Sequence, residues 1–286
     1  MAPAVVVVVE CRVMNKEQVK HRWDRNGYFV VPRLFDLSSV KELRKICNRV
    51  LGQWLNESRD PRASSDLINM AYLTEPRYFE DHPAQLTTLL EAVADEKILS
   101  LLEAVFDAEL LFHNTQYFFD PRGQSRAGAW HRDQQFVAED DATEELIRRT
   151  TVGVHVHVAF LPDDNLEIVP GSHTRRDTPE ELRIRRGLNG RETSADDMPG
   201  AVRISLGAGD ACFFSAWSIH RGRYLAEHPR RTFDIIYGTS NQWAVPPPTC
   251  FLRPDVLRGV SEPARRFFRR FIDAYKPAWE KGEYDS

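Results

Sequence analysis

The chain has 286 residues, 42% of them hydrophobic and 28% charged, with a formal net charge of -4. This is an ordinary balance for a soluble globular protein of one large domain or two small ones, and it gives no reason to expect nucleic acid or a membrane surface as partner. Four cysteines (Cys11, Cys47, Cys212 and Cys250) lie far apart with no Cys-x-x-Cys pair, which argues against a disulfide framework or a cysteine zinc site and points to a reducing, cytoplasmic setting.

Ala4 to Val9 is apolar but much shorter than a membrane span, and no basic residue precedes it as in a signal peptide. Residues 1–13 are expected to be a disordered extension or an edge strand, and 14–286 a single domain. An amphipathic segment opens after Met14. Ser39 with Glu42 forms a capping-box pattern, and Val40, Leu43, Ile46, Cys47, Val50 and Leu51 follow it at helical spacing. Leu86 to Phe106 repeats that spacing, while Pro61 to Pro83 is polar with scattered aromatics.

From Glu109 the period changes. Strands are expected over Leu110–Phe119, Trp130–Val137, Thr151–Leu161, Leu166–Val169, Ala201–Ile204, Ala211–Ser215 and Thr232–Gly238, punctuated by Pro, Gly and Asp. Short helices are expected at Glu144–Arg149 and Pro179–Arg186, with a last one over Glu262–Tyr275. Helices followed by many short strands predict an α+β domain with a double-sheet jelly roll or barrel, whose mouth can enclose a small ligand.

The sharpest local pattern is Trp130-His131-Arg132-Asp133. On a strand, His131 and Asp133 share a face and offer an imidazole beside a carboxylate. A second histidine from a distant strand would complete the two-histidine, one-carboxylate set of non-haem iron(II) oxygenases, which leaves positions open for other ligands. His220, beyond the turn and buried run Gly209-Asp210-Ala211-Cys212-Phe213-Phe214, is the candidate. Arg231 opens the following strand and can grip a carboxylate with two parallel hydrogen bonds.

The order His131-x-Asp133, Val169-Pro170-Gly171-Ser172-His173, Gly209-Asp210, His220 and Arg231 resembles the phytanoyl-CoA dioxygenase family. The opening Trp23-x-x-x-Gly27-Tyr28-Phe29-Val30-Val31 also resembles the family's start, so the likeness spans roughly Trp23 to Gly238. It implies a double-stranded β-helix core with N-terminal and flanking helices. It further implies iron(II) held by His131, Asp133 and His220, 2-oxoglutarate anchored by Arg231, and dioxygen as co-substrate. Asn114 is favoured, with Gln116 competing, as a further contact to 2-oxoglutarate. His155 stands where relatives often place a pocket aromatic, and His157, Tyr72 and Asn69 are candidate substrate contacts.

Halogenases of this kind lack the carboxylate supplied here by Asp133, so hydroxylation of an unactivated C–H bond in a small metabolite or natural-product scaffold is the expected outcome. A monomer or homodimer acting on a small molecule is expected. Two alternatives stay open: a cupin-type metal dioxygenase using His155-x-His157, and a non-catalytic small-molecule-binding jelly roll. The arginine-rich stretch 174–203 reads either as a solvated helix paired with Asp177, Glu180 and Glu181, or as a basic lid over an acidic substrate. His113 and His173 read as packed residues.

Overall fold

The computed structural model describes residues 5–7, 15–57, 68–106, 108–121, 124–241 and 254–281. Cys11 and Cys250, and most of the expected 1–13 extension, lie outside them. The helices are α1 (Lys16–Asn26), α2 (Leu37–Glu57), α3 (Pro83–Val93), α4 (Glu96–Val105), α5 (Asp141–Thr150), α6 (Pro179–Arg185) and α7 (Glu262–Glu280). The strands are β1 (Val5–Val7), β2 (Tyr28–Val31), β3 (Asn69–Ala71), β4 (Leu111–Phe119), β5 (Arg126–Ala127), β6 (Gly153–Ala159), β7 (Asp163–Ile168), β8 (Val202–Leu206), β9 (Ala211–Ser215), β10 (His220–Tyr224) and β11 (Arg231–Gly238).

They form two sheets, in the orders β2-β9-β6-β11-β4-β3 and β1-β8-β7-β10-β5. Pairing is antiparallel except between β1 and β8. Mixed helices and antiparallel sheets agree with the α+β expectation, and Val5–Val7 forms an edge strand within the expected extension.

Local chemistry explains most boundaries. The Asn15 side chain accepts from the Gln18 amide to start α1, and Gly27, at φ 74°, ends it. A Cβ there would also meet the His173 ring at 2.5 Å, so glycine permits both the left-handed turn and the close approach. The helix expected from Ser39 starts earlier, because Asp36 accepts from the Ser38 hydroxyl and the Ser39 amide. The Leu86–Phe106 pattern is two helices: Asp95 accepts from the Lys97 amide at 2.8 Å and begins α4 afresh. Trp130–Val137 is not a strand. It is a loop running into a 3-10 turn, Asp133–Phe136, while β10, not expected as a strand, supplies pairing nearby.

Alternation along the central strands sorts two surfaces. Val154, Val156 and Val158 of β6 and Phe233, Ile235 and Tyr237 of β11 face the helices, in one large core with Phe267, Phe268 and Phe271 of α7. A fully buried ring such as Phe268, packed 5.5 Å from Phe112, is worth roughly 3–5 kcal/mol against truncation to alanine. The opposite face of the same strands, carrying His155, His157 and Asp234, lines a cavity of about 460 Å³ whose other wall includes Leu166 of β7 and His220, Gly222 and Tyr224 of β10. Among the described residues no helix is long and apolar enough to cross a membrane.

Candidate functional site

His131 and His220 are joined directly, each donating its backbone N–H to the other's carbonyl, at 3.0 and 2.9 Å. This isolated bridge places the two imidazoles side by side, with ring centroids 4.3 Å apart. Asp133 reaches them through the turn, its amide held by the Ala216 carbonyl at 3.0 Å. Between them Arg132 points the other way and is almost fully buried. It donates to Asp177, to the carbonyl of Ser172 at 2.8 Å and to that of Trp217, clamping the His131–Asp133 turn to its surroundings.

The ligand-type atoms of His131, Asp133 and His220 all lie within 4.8 Å of one another, the one such group found among the described residues. Asp133 Oδ1 stands 3.4 Å from His131 Nε2 and 3.6 Å from His220 Nε2. Adjacent ligands on a cation with bonds near 2.1 Å lie about 3 Å apart, so small shifts would close the set. The Nδ1 atoms of His131 and His220 face the carbonyls of Ala129 and Ser218, at 2.8 and 3.0 Å. Carbonyls only accept, so each Nδ1 carries the proton and each Nε2 keeps its lone pair for a cation. This donor set fits iron(II).

Electrostatics hold the carboxylate ready. Burial opposes ionisation of Asp133, but neighbouring imidazoles overcome it and keep the carboxyl well below its usual range. Burial, above all, pushes His220 down to about 3. Burial also disfavours a proton on His155, yet Asp234 and Asp133 dominate and raise it to about 10. His155 lies between those two carboxylates, with Nδ1 donating to Asp234 at 2.6 Å and Nε2 to Asp133 Oδ2 at 2.8 Å, and it stacks on Phe214 at 4.7 Å.

The arginine facing this cavity is not the expected one. Arg231 lies on the other face of β11, pairing with Asp120 at 2.8 Å and donating to Asn48 at 3.2 Å, and it does not line the cavity. Arg230 does. Its Nε donates to Asp163 at 3.0 Å, its Nη2 to His157 Nε2 at 3.1 Å, and Phe118 lies under its plane. Its Nη1 is buried without a partner. The correction has a simple cause: residues two apart share a face, so Arg230 goes with Thr232 and Asp234, and Arg231 with the apolar Phe233 and Ile235. That alternation was present in the sequence.

Gln116 and Asn69 line the cavity and hydrogen-bond each other at 3.0 Å. Asn114, the favoured candidate, is not among the lining residues. Its side-chain oxygen accepts from the backbone amides of Tyr72 and Thr115, at 3.3 and 2.7 Å. Tyr72 packs against the helical core instead of the cavity. His157 is brought in as expected, but with its Nδ1 directed to Asp234; His155 and His157 thus converge on that carboxylate, which does not suit the cupin-type pairing. Asp234 and the exposed Phe136, whose ring lies 5.4 Å from His131, are site residues that no sequence pattern singled out.

No residue of 174–203 lines this cavity. Arg185 is buried between Asp177 and Glu144, and Arg175 grips Glu181. The stretch is therefore neither a solvated helix throughout nor a lid; it braces Arg132 and, through it, the turn.

The family model described as phytanoyl-CoA dioxygenase (PhyH) matches residues 23–232. The chain belongs to the phytanoyl-CoA dioxygenase family. As a member carrying a donor set that suits iron, it is an enzyme of the iron- and 2-oxoglutarate-dependent kind. No curated protein matches it in sequence. Similar solved structures include the non-haem alpha-ketoglutarate-dependent epimerase SnoN from nogalamycin biosynthesis, 20% identical, covering 80% of this chain and 86% of that one at a TM-score of 0.55. HygX from Streptomyces hygroscopicus, with nickel and 2-oxoglutarate bound, is 18% identical over 80% of this chain and 88% of its own, at 0.58. The carbocyclase SnoK, also from nogalamycin biosynthesis, is 18% identical over 80% and 85%, at 0.55. At these identities the likeness establishes the fold of this family member. It leaves the reaction outcome open, since an epimerase and a carbocyclase share that fold.

Proposed function

We propose that this protein uses iron(II), 2-oxoglutarate and dioxygen to functionalise an unactivated C–H bond of a small metabolite or natural-product scaffold, with hydroxylation as the outcome. In this reading the two sheets form a double-stranded β-helix. The observation that carries it is the convergence of two imidazole Nε2 atoms and Asp133 Oδ1 in the same cavity as a buried guanidinium with an unpaired N–H.

His131, Asp133 and His220 would hold the iron, which when bound supplies the oxygen activation that protein side chains cannot. Arg230 would pair with the far carboxylate of 2-oxoglutarate, a role that its unpaired Nη1 supports. His155 keeps Asp133 Oδ2 occupied, leaving Oδ1 directed at the imidazole pair. Gln116 and Asn69 offer neutral amide groups to ligands in the same cavity, and Phe136 and Val137 give its mouth an apolar rim. The SnoN and SnoK likenesses support a natural-product setting, and the retained Asp133 supports hydroxylation over halogenation.

The test is succinate formation from 2-oxoglutarate with added iron(II), alone and with a metabolite library. Wild type should release succinate and Asp133→Ala should not, with iron uptake lost in the variant. Iron-dependent turnover surviving in Asp133→Ala would remove the assignment. Complete inactivity of the wild type toward 2-oxoglutarate would favour a non-catalytic binding barrel.

A further inference from the structure

Asp234 is fully buried on the cavity face of β11, in register opposite His157 of β6, with His155 one pleat away on the same face. Its Oδ2 accepts from His155 Nδ1 at 2.6 Å and its Oδ1 from His157 Nδ1 at 3.2 Å. Each imidazole then uses its far nitrogen. His155 Nε2 donates to Asp133 Oδ2 at 2.8 Å, and His157 Nε2 accepts from Arg230 Nη2 at 3.1 Å. Arg230 ends the line on Asp163, which the Thr232 hydroxyl and the Asn165 amide also hold. One unbroken chain of hydrogen bonds therefore runs from the metal-site carboxylate to the guanidinium.

Resting on the function proposed above, we infer that Asp234 is a positioning residue that sets the metal half and the co-substrate half of the site at once. A buried carboxylate is costly unless partners answer it, and here two imidazoles do. What only the carboxylate provides is two acceptors aimed at two imidazole N–H groups. The guanidinium can only donate, so His157 Nε2 must accept and its proton must sit on Nδ1. His155, between two carboxylates, donates from both nitrogens. Both Nδ1–H groups thus need an oxygen of residue 234. Asparagine offers one oxygen and one NH₂, so it can satisfy only one of them.

The experiment measures Ni(II) affinity, and 2-oxoglutarate affinity at saturating Ni(II), by calorimetry. Partners behind a ligating residue typically change affinity on the order of 10- to 100-fold. Asp234→Ala should lower both affinities by that order. His157→Phe should lower only the 2-oxoglutarate affinity, and His155→Phe should lower the metal affinity. Asp234→Ala combined with His157→Phe should bind 2-oxoglutarate no more weakly than Asp234→Ala alone, because both break one chain. If Asp234→Ala does not fold, as judged by circular dichroism, Asp234→Asn replaces it and should lose at least one affinity about tenfold. A folded Asp234 variant with both affinities within about twofold of wild type, or losses that simply add, overturns the inference while the proposed function stands. Wild type that binds Ni(II) but no 2-oxoglutarate overturns both.

Discussion

Replacing Arg230 by lysine isolates what the guanidinium contributes. Alanine would be a poor probe: it would strand Asp163, a buried carboxylate held well below its usual range by Arg230 against its own burial, and breaking a buried ion pair costs about 3–5 kcal/mol of stability. Lysine keeps a cation beside Asp163 but lacks the planar fork, so it cannot serve Asp163 and hold a carboxylate with two parallel bonds. One charge-assisted hydrogen bond is worth about 1.5–3 kcal/mol, so 2-oxoglutarate affinity should fall roughly 10- to 100-fold, read by calorimetry with Ni(II) in place. Arg231→Ala is the paired control. Its guanidinium is partly exposed, on the far face of β11, against Asp120 and Asn48. Such a pair contributes at most about 1 kcal/mol to stability and nothing to the cavity, so 2-oxoglutarate affinity should stay within about twofold. The reverse pattern, with Arg231→Ala weak and Arg230→Lys normal, would refute the placement of the anchor.

Two further expectations follow from geometry and burial. Gly209 has φ 89°, and a Cβ there would lie 2.4 Å from the Phe35 carbonyl oxygen, a backbone atom that cannot step aside. Gly209→Ala should cost about 3 kcal/mol through strain and overpacking and lower Tm by roughly 6–12 °C; an unchanged melt would contradict this. Burial pushes His113 and His173 down to about 4 from the ordinary 6.5, so both stay neutral in the folded protein while the unfolded chain takes up protons. Their contribution to stability is present above pH 6.5 and lost as pH falls towards 4. Their imidazole NMR signals should not shift between pH 7 and 5.5, and a midpoint near 6.5 would show them solvated.

The candidate metal triad was legible because it depends on residue type and chain order. His131-x-Asp133 and a late histidine can be read without coordinates, and so can the family likeness they carry. Even there the local geometry differs from the expected strand, since Asp133 opens a 3-10 turn next to the His131–His220 backbone bridge. The valine, phenylalanine and isoleucine positions that face the helices were also fixed locally, because a period of two or 3.6 is a property of the backbone.

What the sequence alone left undecided was partnership. Arg230 and Arg231 are neighbours of identical chemistry that alternation sends to opposite faces, but only the packing of β11 between β4 and β6 decides that the face of Arg230 meets the cavity and that of Arg231 meets Asp120. Asp234 is one aspartate among many until cross-strand register sets it between two imidazoles whose far nitrogens meet Asp133 and Arg230. The arginines of 174–203 could face solvent or substrate until α6 packs Arg185 between Asp177 and Glu144, behind Arg132. Spacing along a chain fixes which side chains share a face, but which charges meet across strands depends on long-range register, and that exists only once the sheets have formed.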